Sequence, residues 1–388
     1  MTSPVYLDHN ASTPMDPVVI DVMTEAMHTH FANPSSSEHA AGAAASQAVE
    51  HARGTIAKAI GARPPEIIFC SGSTEANNLA LMGAFPALKA AGKIQIVTSA
   101  IEHPSVLEPL RWLEAVEGAE IARVAVGEDG RVSPTAIAEA LGDDTGLVTI
   151  MTANNETGIL QPIDQIGALC AERNILFHTD YSQATAYRAL DVSTANVHLA
   201  SFSGHKMYGP KGVGVLYRRL RKPRVELTPI IHGGGQERGL RSGTLNTPAI
   251  AALGAAFEQV TRFRAKDVEA IAERRDELVD GLLPIGGVYE NGDRSQALPN
   301  TVSLTVDEVE PLALMRILKN EIVFSASSAC STERAETSHV LKCMLGDTLR
   351  ARRAFRLGLG RGNTDAEIER AVNAFTWAVA RLRSGRLS

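Results

Sequence analysis

The 388-residue chain is poor in cysteine: it has four, Cys70, Cys170, Cys330 and Cys343, and no CxxC pair. A disulfide scaffold needs many more, and a structural zinc site needs clustered ligands, so both are excluded and at least one thiol is left for reactivity in a reducing compartment. An excess of positive charge is also missing. Thirty-eight Lys and Arg face 44 Asp and Glu, a net charge of −6, so no blanket positive field points to direct nucleic-acid binding. No window approaches the ~18 consecutive apolar residues of a membrane span. The start, Met1 to Tyr6, has no basic stretch followed by an apolar run, which reads as a cytoplasmic protein. What is present is ordinary soluble composition, 44% hydrophobic and 21% charged, which excludes a disordered chain and a coiled coil. At ~150 residues per domain, the length predicts two or three domains.

Along the chain, short apolar runs alternate with longer helical patterns. Residues 67–70, 94–97, 147–151, 175–178, 199–202 and 213–217 read as buried strands, with helical stretches at 74–91 and 165–172 between them. This alternation predicts a mostly parallel α/β sheet with ligands at the carboxyl ends of its strands. Beyond Ile250 the pattern changes to a long amphipathic stretch, 251–283, a strand near 301–304 and a last helix over 365–382. The second part reads as a smaller α+β domain that the N-terminal segment joins.

Candidate chemistry falls where the strands end. Ser203-Gly204-His205-Lys206 follows the run 199–202. A lone lysine is most often a solvated charge, but one following a buried strand is partly desolvated, with a lowered pKa, and can form a Schiff base with an aldehyde. Asp180 ends the preceding strand. It could be a helix cap; beside a Schiff-base lysine, a buried carboxylate suits a pyridinium nitrogen and keeps it protonated as an electron sink. Ser71-Gly72-Ser73-Thr74-Glu75 joins a strand to a helix, and free amides plus hydroxyls at a helix start make either a phosphate site or a plain cap.

Phosphate cradle, carboxylate and lysine in this order resemble a pyridoxal-phosphate enzyme of the aspartate-aminotransferase fold, fold type I. In detail the chain resembles the cysteine desulfurases, the class-V aminotransferase branch that includes the iron–sulfur and nitrogenase sulfur suppliers. The resemblance runs from Tyr6-Leu7-Asp8 through Asn33-Pro34-Ser35-Ser36 to Gly360-Arg361, and is most specific over residues 201–212 (SFSGHKMYGPKG) and 232–244 (HGGGQERGLRSGT). It implies pyridoxal 5'-phosphate as cofactor, with Lys206 as the lysine that carries it. Ser73, Thr74, Ser203 and His205 are implied as phosphate ligands, with Thr244 supplied by the partner subunit of a homodimer. His103 would stack on the pyridine ring and shuttle protons, Asp180 would pair with the ring nitrogen, and Gln183 would donate to the ring phenolate with Asn155 beside it. Arg356, chosen from a crowd with Arg350, Arg352 and Arg353 by the family motif alone, would hold the substrate carboxylate, with Asn155 also contributing to substrate binding. No metal is implied. The expected division is a large cofactor-binding domain over 16–257 and a small one made of 1–15 and 258–388, with the cofactor between them.

Cys330 decides the reaction. Most unpaired cysteines are inert core residues, and that reading fits Cys70 and Cys170 in their apolar strand and helix patterns and leaves Cys343 undecided. Cys330 sits in Ser325-Ala326-Ser327-Ser328-Ala329-Cys330-Ser331-Thr332, a stretch of small polar residues that reads as a mobile loop and matches the family's longer catalytic loop. The implied reaction takes L-cysteine to L-alanine and leaves sulfur on Cys330 as a persulfide for an acceptor protein. A selenocysteine lyase, an aminotransferase of the same fold and a non-catalytic sulfur-relay scaffold are the alternatives. Tyr181 stands where the family usually has a small residue, which bears on packing near the ring. The chain stops soon after Leu382, short of the long tail by which some relatives engage an iron–sulfur scaffold, so tRNA, DNA or natural-product thiolation stay open as destinations.

Overall fold

Alternating burial on two faces dictates the layout. In a computed structural model that describes residues 3–327 and 337–385, the chain opens with β1 (Val5–Tyr6), α1 (Pro17–Thr29) and α2 (Ala40–Ala59). An alternating series follows: β2 (Ile67–Cys70), α3 (Ser73–Ala90), β3 (Gln95–Ser99), α4 (Pro104–Trp112), β4 (Glu120–Val124), α5 (Pro134–Ala140), β5 (Thr145–Thr149), α6 (Ile163–Glu172), β6 (Leu176–Asp180), β7 (Leu199–Ser203) and β8 (Gly214–Arg218). Next come α7 (Thr247–Leu282), β9 (Val288–Glu290), β10 (Thr301–Val306), α8 (Pro311–Leu318), β11 (Ile322–Val323) and β12 (Ser325–Ala326). The last elements are α9 (His339–Leu345), α10 (Leu349–Arg352), β13 (Ala354–Gly358) and α11 (Asp365–Arg383).

Among the described residues, the main sheet has seven strands in the order β2-β8-β7-β6-β5-β3-β4. β8 runs antiparallel to both neighbours and every other pairing is parallel, so six strands deliver their carboxyl ends to one edge. β2, β5, β7 and β8 are buried along their whole length, as expected of strands covered by helices on both faces. That double burial is why they read as unbroken apolar runs. β4 was not among the expected strands. It is an edge strand with a largely accessible face, and its Glu120 and Arg123 break the apolar run.

A second, antiparallel sheet, β12-β13-β10-β9, lies in the C-terminal part. Its β13 is pinned by Phe355, which stacks on Phe375 of α11 at 5.7 Å and meets Phe324 edge-on at 5.6 Å, contacts worth about 0.5–1.5 kcal/mol each beyond burial. Side chains alternate along a strand, so with Phe355 in the core the next residue, Arg356, turns to the opposite face. The N-terminal β1 pairs in parallel with β11 (Val5 with Ile322, Tyr6 with Val323), and Asp8 bridges to Gly358. α7 is one continuous helix of 36 residues that packs against α1, α2 and α11, crossing residue 257 without interruption. Among the described residues no helix is long and apolar enough to cross a membrane.

One part of the reading is corrected. The stretch from Ser325 was expected to be loop throughout, but Ser325 and Ala326 pair with Arg356 and Phe355 as β12. Residues 328–336, Cys330 among them, lie outside the described residues.

Candidate active site

Five turns at the carboxyl edge of the main sheet carry the predicted residues. After β2, α3 starts at Ser73 with Gly72 as N-cap and no side chain capping it, so its first-turn amides are free for an anion. Gly214 of β8 makes the close approach possible: a Cβ there would lie 2.6 Å from Gly72 Cα. Ser203 reaches the same turn, its Oγ 3.9 Å from where a Gly72 Cβ would stand. After β3, His103 is the N-cap of α4, its Nδ1 accepting from the Ser105 amide at 3.1 Å. A neutral ring therefore carries its proton on Nε2.

After β6, Asp180 is buried and doubly held. Its Oδ2 accepts from Asn77 Nδ2 at 2.8 Å and its Oδ1 from the Ser182 amide at 2.9 Å. Asn77 Nδ2 also donates to Ser105 Oγ at 2.9 Å, and Ser105 Oγ lies 2.8 Å from His103 Nδ1. One hydrogen-bonded chain thus joins Asp180 to His103. Gln183, three residues on, donates to the Asn10 carbonyl at 3.1 Å. Tyr181 goes the other way: its ring packs at 5.6 Å on Phe202, which meets Phe257 of α7, and its phenol donates to the Arg188 and Ala189 carbonyls. The tyrosine fills core on the far side of the strand from Asp180 and Asn77, so its size does not crowd the cleft.

After β7, Lys206 donates to the carbonyls of Asn10 and Ala11, the latter at 2.9 Å. Burial, reinforced by the Arg356 charge and opposed by Asp8 and Asp180, lowers its pKa to about 8. A substantial neutral fraction is then available near neutral pH, which an amine needs in order to attack a carbonyl. His205 lies 3.4 Å from Ser12 Oγ, and burial together with Lys206 and Lys211 lowers its pKa to about 4, so it meets a ligand as a neutral ring. His103 is exposed to the cleft, yet the surrounding protein still lowers its pKa, with Asp180 opposing and Lys206 reinforcing.

Arg356 arrives from the second sheet. Its Nη1 donates to the Asn155 carbonyl and its Nη2 to Asp8 Oδ1, both at 2.8 Å, while its buried Nε has no partner. A guanidinium fixed on two sides with a donor left over is prepared for a carboxylate. The backbone of Asn155, not its side chain, makes this contact. Ser73 and Thr74 stand at the free helix start. Thr244 is exposed and joins none of these groups within the chain. Cys70 and Cys170 are buried, with thiol pKa values raised by desolvation, that of Cys170 to about 12; both are inert core residues. Cys343 is exposed on α9, 3.8 Å from the Ala100 carbonyl, its pKa also raised by burial.

Sequence reasoning missed Asn77, Ser105, Asn10 and the role of Asp8. A polar residue inside the apolar face Ala76-Leu79-Ala80 was the available sign for Asn77. Asp8 lies 348 positions from Arg356, and nothing local marks that pairing.

A phosphate-ready helix start, a carboxylate held for a cationic nitrogen, a lysine of lowered pKa and a free guanidinium donor at one strand edge fit pyridoxal phosphate and an amino-acid substrate. Fold and site together define a fold-type-I pyridoxal-phosphate enzyme. The chain belongs to the class-V aminotransferase family, which matches it over residues 5–371. It is 42% identical over 385 residues to the cysteine desulfurase IscS of Rickettsia massiliae (strain Mtu5), covering 99% of this chain and 93% of the relative. Among solved structures it is similar to a NifS-like protein with a TM-score of 0.90 and 33% identity, over 97% of this chain and 99% of that one. It is also similar to SspA in complex with cysteine, with a TM-score of 0.81 and 36% identity over 94% and 100% of the two chains.

Proposed function

We propose that the chain is a cysteine desulfurase that converts L-cysteine to L-alanine and moves the sulfur onto Cys330 as a persulfide, for delivery to an acceptor protein. The observation that carries this reading is the pairing of Ser325 with Arg356. In the sequence, Cys330 follows four residues after Ala326, the end of the strand paired with Arg356.

Bound pyridoxal phosphate supplies an aldehyde carbon for the amino group and an electron sink for bonds breaking at the substrate's α- and β-carbons. Arg356 binds the substrate carboxylate and so orients the molecule. Lys206, as a neutral amine, takes the α-proton. Asp180, held by Asn77 and Ser182, would pair with the cofactor's ring nitrogen and favour its protonated form, and His103, its Nδ1 occupied by Ser105, would face the ring with Nε2 left to exchange a proton. Ser73, Thr74, Ser203 and neutral His205 would hold the phosphate, joined by Thr244 of a second copy. Gln183 donates to the ring phenolate. The Cys330 thiolate attacks the substrate sulfur: an S–S bond forms, the C–S bond breaks and its electron pair stays with carbon; the β-carbon takes up a proton and Lys206 returns one to the α-carbon, giving alanine. The two domains close on a cleft, 16–257 on one side and 1–15 with 258–388 on the other, in a cytoplasmic homodimer that does not bind nucleic acid directly.

The test is Cys330→Ser. The variant should remain yellow and change colour with L-cysteine, yet lose sulfide and alanine production by at least ~10³-fold. Retained alanine formation would point to a lyase reaction that bypasses the thiol, and formation of 3-mercaptopyruvate instead would point to an aminotransferase. A wild-type protein that takes up no pyridoxal phosphate would leave only a scaffold role.

A further inference from the structure

The turn Asn154–Gly158 follows β5 and is buried, with Asn154 fully inaccessible and Glu156 and Thr157 nearly so. Asn154 Oδ1 closes it by accepting from the amides of Glu156 and Thr157 at 2.8 and 3.2 Å, and Asn154 Nδ2 donates to the Ile101 carbonyl at 3.1 Å. Two contacts leave this rigid turn in different directions. The Asn155 carbonyl accepts from Arg356 Nη1. The next residue's carboxylate, Glu156 Oε2, accepts from Ser338 Oγ at 2.5 Å. Ser338 is the N-cap of α9 and in turn accepts from the Leu341 amide. α9 has a second tie nearby, His339 Nε2 to the Glu102 carbonyl at 3.0 Å, and its Val340, Leu341 and Met344 pack with Ile101.

We propose that Glu156 is a positioning residue: through Ser338, eight residues after Cys330 in the sequence, it sets the start of α9 against the arginine proposed to receive the substrate carboxylate. Neighbouring residues of one turn hold Arg356 and the start of α9, so a displacement of either is a displacement relative to the same support. A carboxylate nearly excluded from water needs a donor to stay there, and Ser338 is the donor it has. Arg356 supplies a second favourable charge, and burial still raises the Glu156 pKa to about 7. A bond made at such a cost from a site-facing turn is poorly explained as packing alone.

The proposal rests on the desulfurase reading, and the experiment separates the two. Holoenzyme carrying Ser338→Ala, Ser338→Asp, Ser338→Thr, Glu156→Ala or Glu156→Gln is mixed with L-cysteine in a single turnover. The cofactor's absorbance reports substrate binding, and mass spectrometry of Cys330 reports persulfide. Ser338→Ala, Ser338→Asp and Glu156→Ala should bind L-cysteine within ~3-fold of wild type while forming persulfide ~10- to 100-fold more slowly. Aspartate still caps α9 but cannot donate to Glu156, so its failure isolates the link from the cap. Ser338→Thr keeps the hydroxyl, and Glu156→Gln keeps an accepting oxygen; both should stay close to wild type. Wild-type persulfide rates in Ser338→Asp overturn the proposal, as does an equal loss of binding and persulfide formation in Glu156→Ala and Ser338→Asp. A wild-type enzyme that binds L-cysteine and forms no persulfide overturns the function reading and this proposal with it.

Discussion

Lys206 shows how a single side chain records the purpose of its surroundings. Its amine is held by two carbonyls of the N-terminal segment, and burial with Arg356 brings its pKa from 10.5 to about 8. In the unfolded chain the same lysine keeps its proton up to about pH 10.5. Between pH 8 and 10.5 the unfolded state therefore binds more protons, so the lysine's contribution to stability rises with pH in that window and is unfavourable below it. Cofactor-free wild type should gain on the order of 2–3 kcal/mol relative to cofactor-free Lys206→Met as pH rises from 8 to 10.5. Paired denaturant titrations across that range check this, and a constant difference between the two proteins would refute the lowered pKa. Schiff-base formation masks the effect, because it replaces the ammonium altogether. The same logic explains why Asp8 matters: its carboxylate opposes the pKa depression and pairs with Arg356.

At the scale of elements, the carboxyl edge of the sheet depends on backbone closeness more than on any one side chain. Gly214 lies where a Cβ would meet Gly72 Cα at 2.6 Å, and a backbone atom cannot swing aside as a flexible side chain can. Gly214→Val should push the β2–α3 turn away from Ser203, costing ~1–3 kcal/mol in stability. Pyridoxal-phosphate affinity should fall by about tenfold or more, one lost charge-assisted hydrogen bond being enough for that; equilibrium dialysis of the folded variant measures it. Unchanged affinity would show that the cradle relaxes elsewhere. This scale also explains what could be read beforehand. The strands at 67–70, 199–202 and 213–217 were legible because both of their faces are buried, and each turn after a strand then announced its chemistry through short polar residues. Edge strand β4, β12 beside Arg356 and the reversed direction of β8 were not legible, since pairing partners and not local pattern define them. The Asn77–Asp180 and Glu156–Ser338 contacts span 103 and 182 positions and exist only once the sheet has assembled.

For the whole molecule, the decisive segment is 232–244. It is clamped to its own chain by Arg53, whose guanidinium grips Glu237 at 2.7 and 2.8 Å, and by Arg241, which meets Glu75 of α3 at 2.8 Å. Past those clamps Gly243 and Thr244 turn outward and stand exposed. That exposure leaves Thr244 available to the second copy proposed above. If Thr244 completes the phosphate site of the partner, cofactor binding and dimerisation are linked, and the site order can be tested by complementation. Differently tagged Thr244→Ala and Lys206→Ala chains are combined into isolated heterodimers and assayed at limiting pyridoxal phosphate. When Thr244 acts across the interface, the chain that retains Lys206 receives an intact threonine from its neighbour. One of the two sites is then wild type, and the heterodimer should bind one cofactor at wild-type affinity and show about half of wild-type activity. When Thr244 acts within its own chain, no intact site exists and affinity stays about tenfold weaker, the value of one charge-assisted hydrogen bond. The second outcome would remove the interface from the active site and leave each subunit complete by itself.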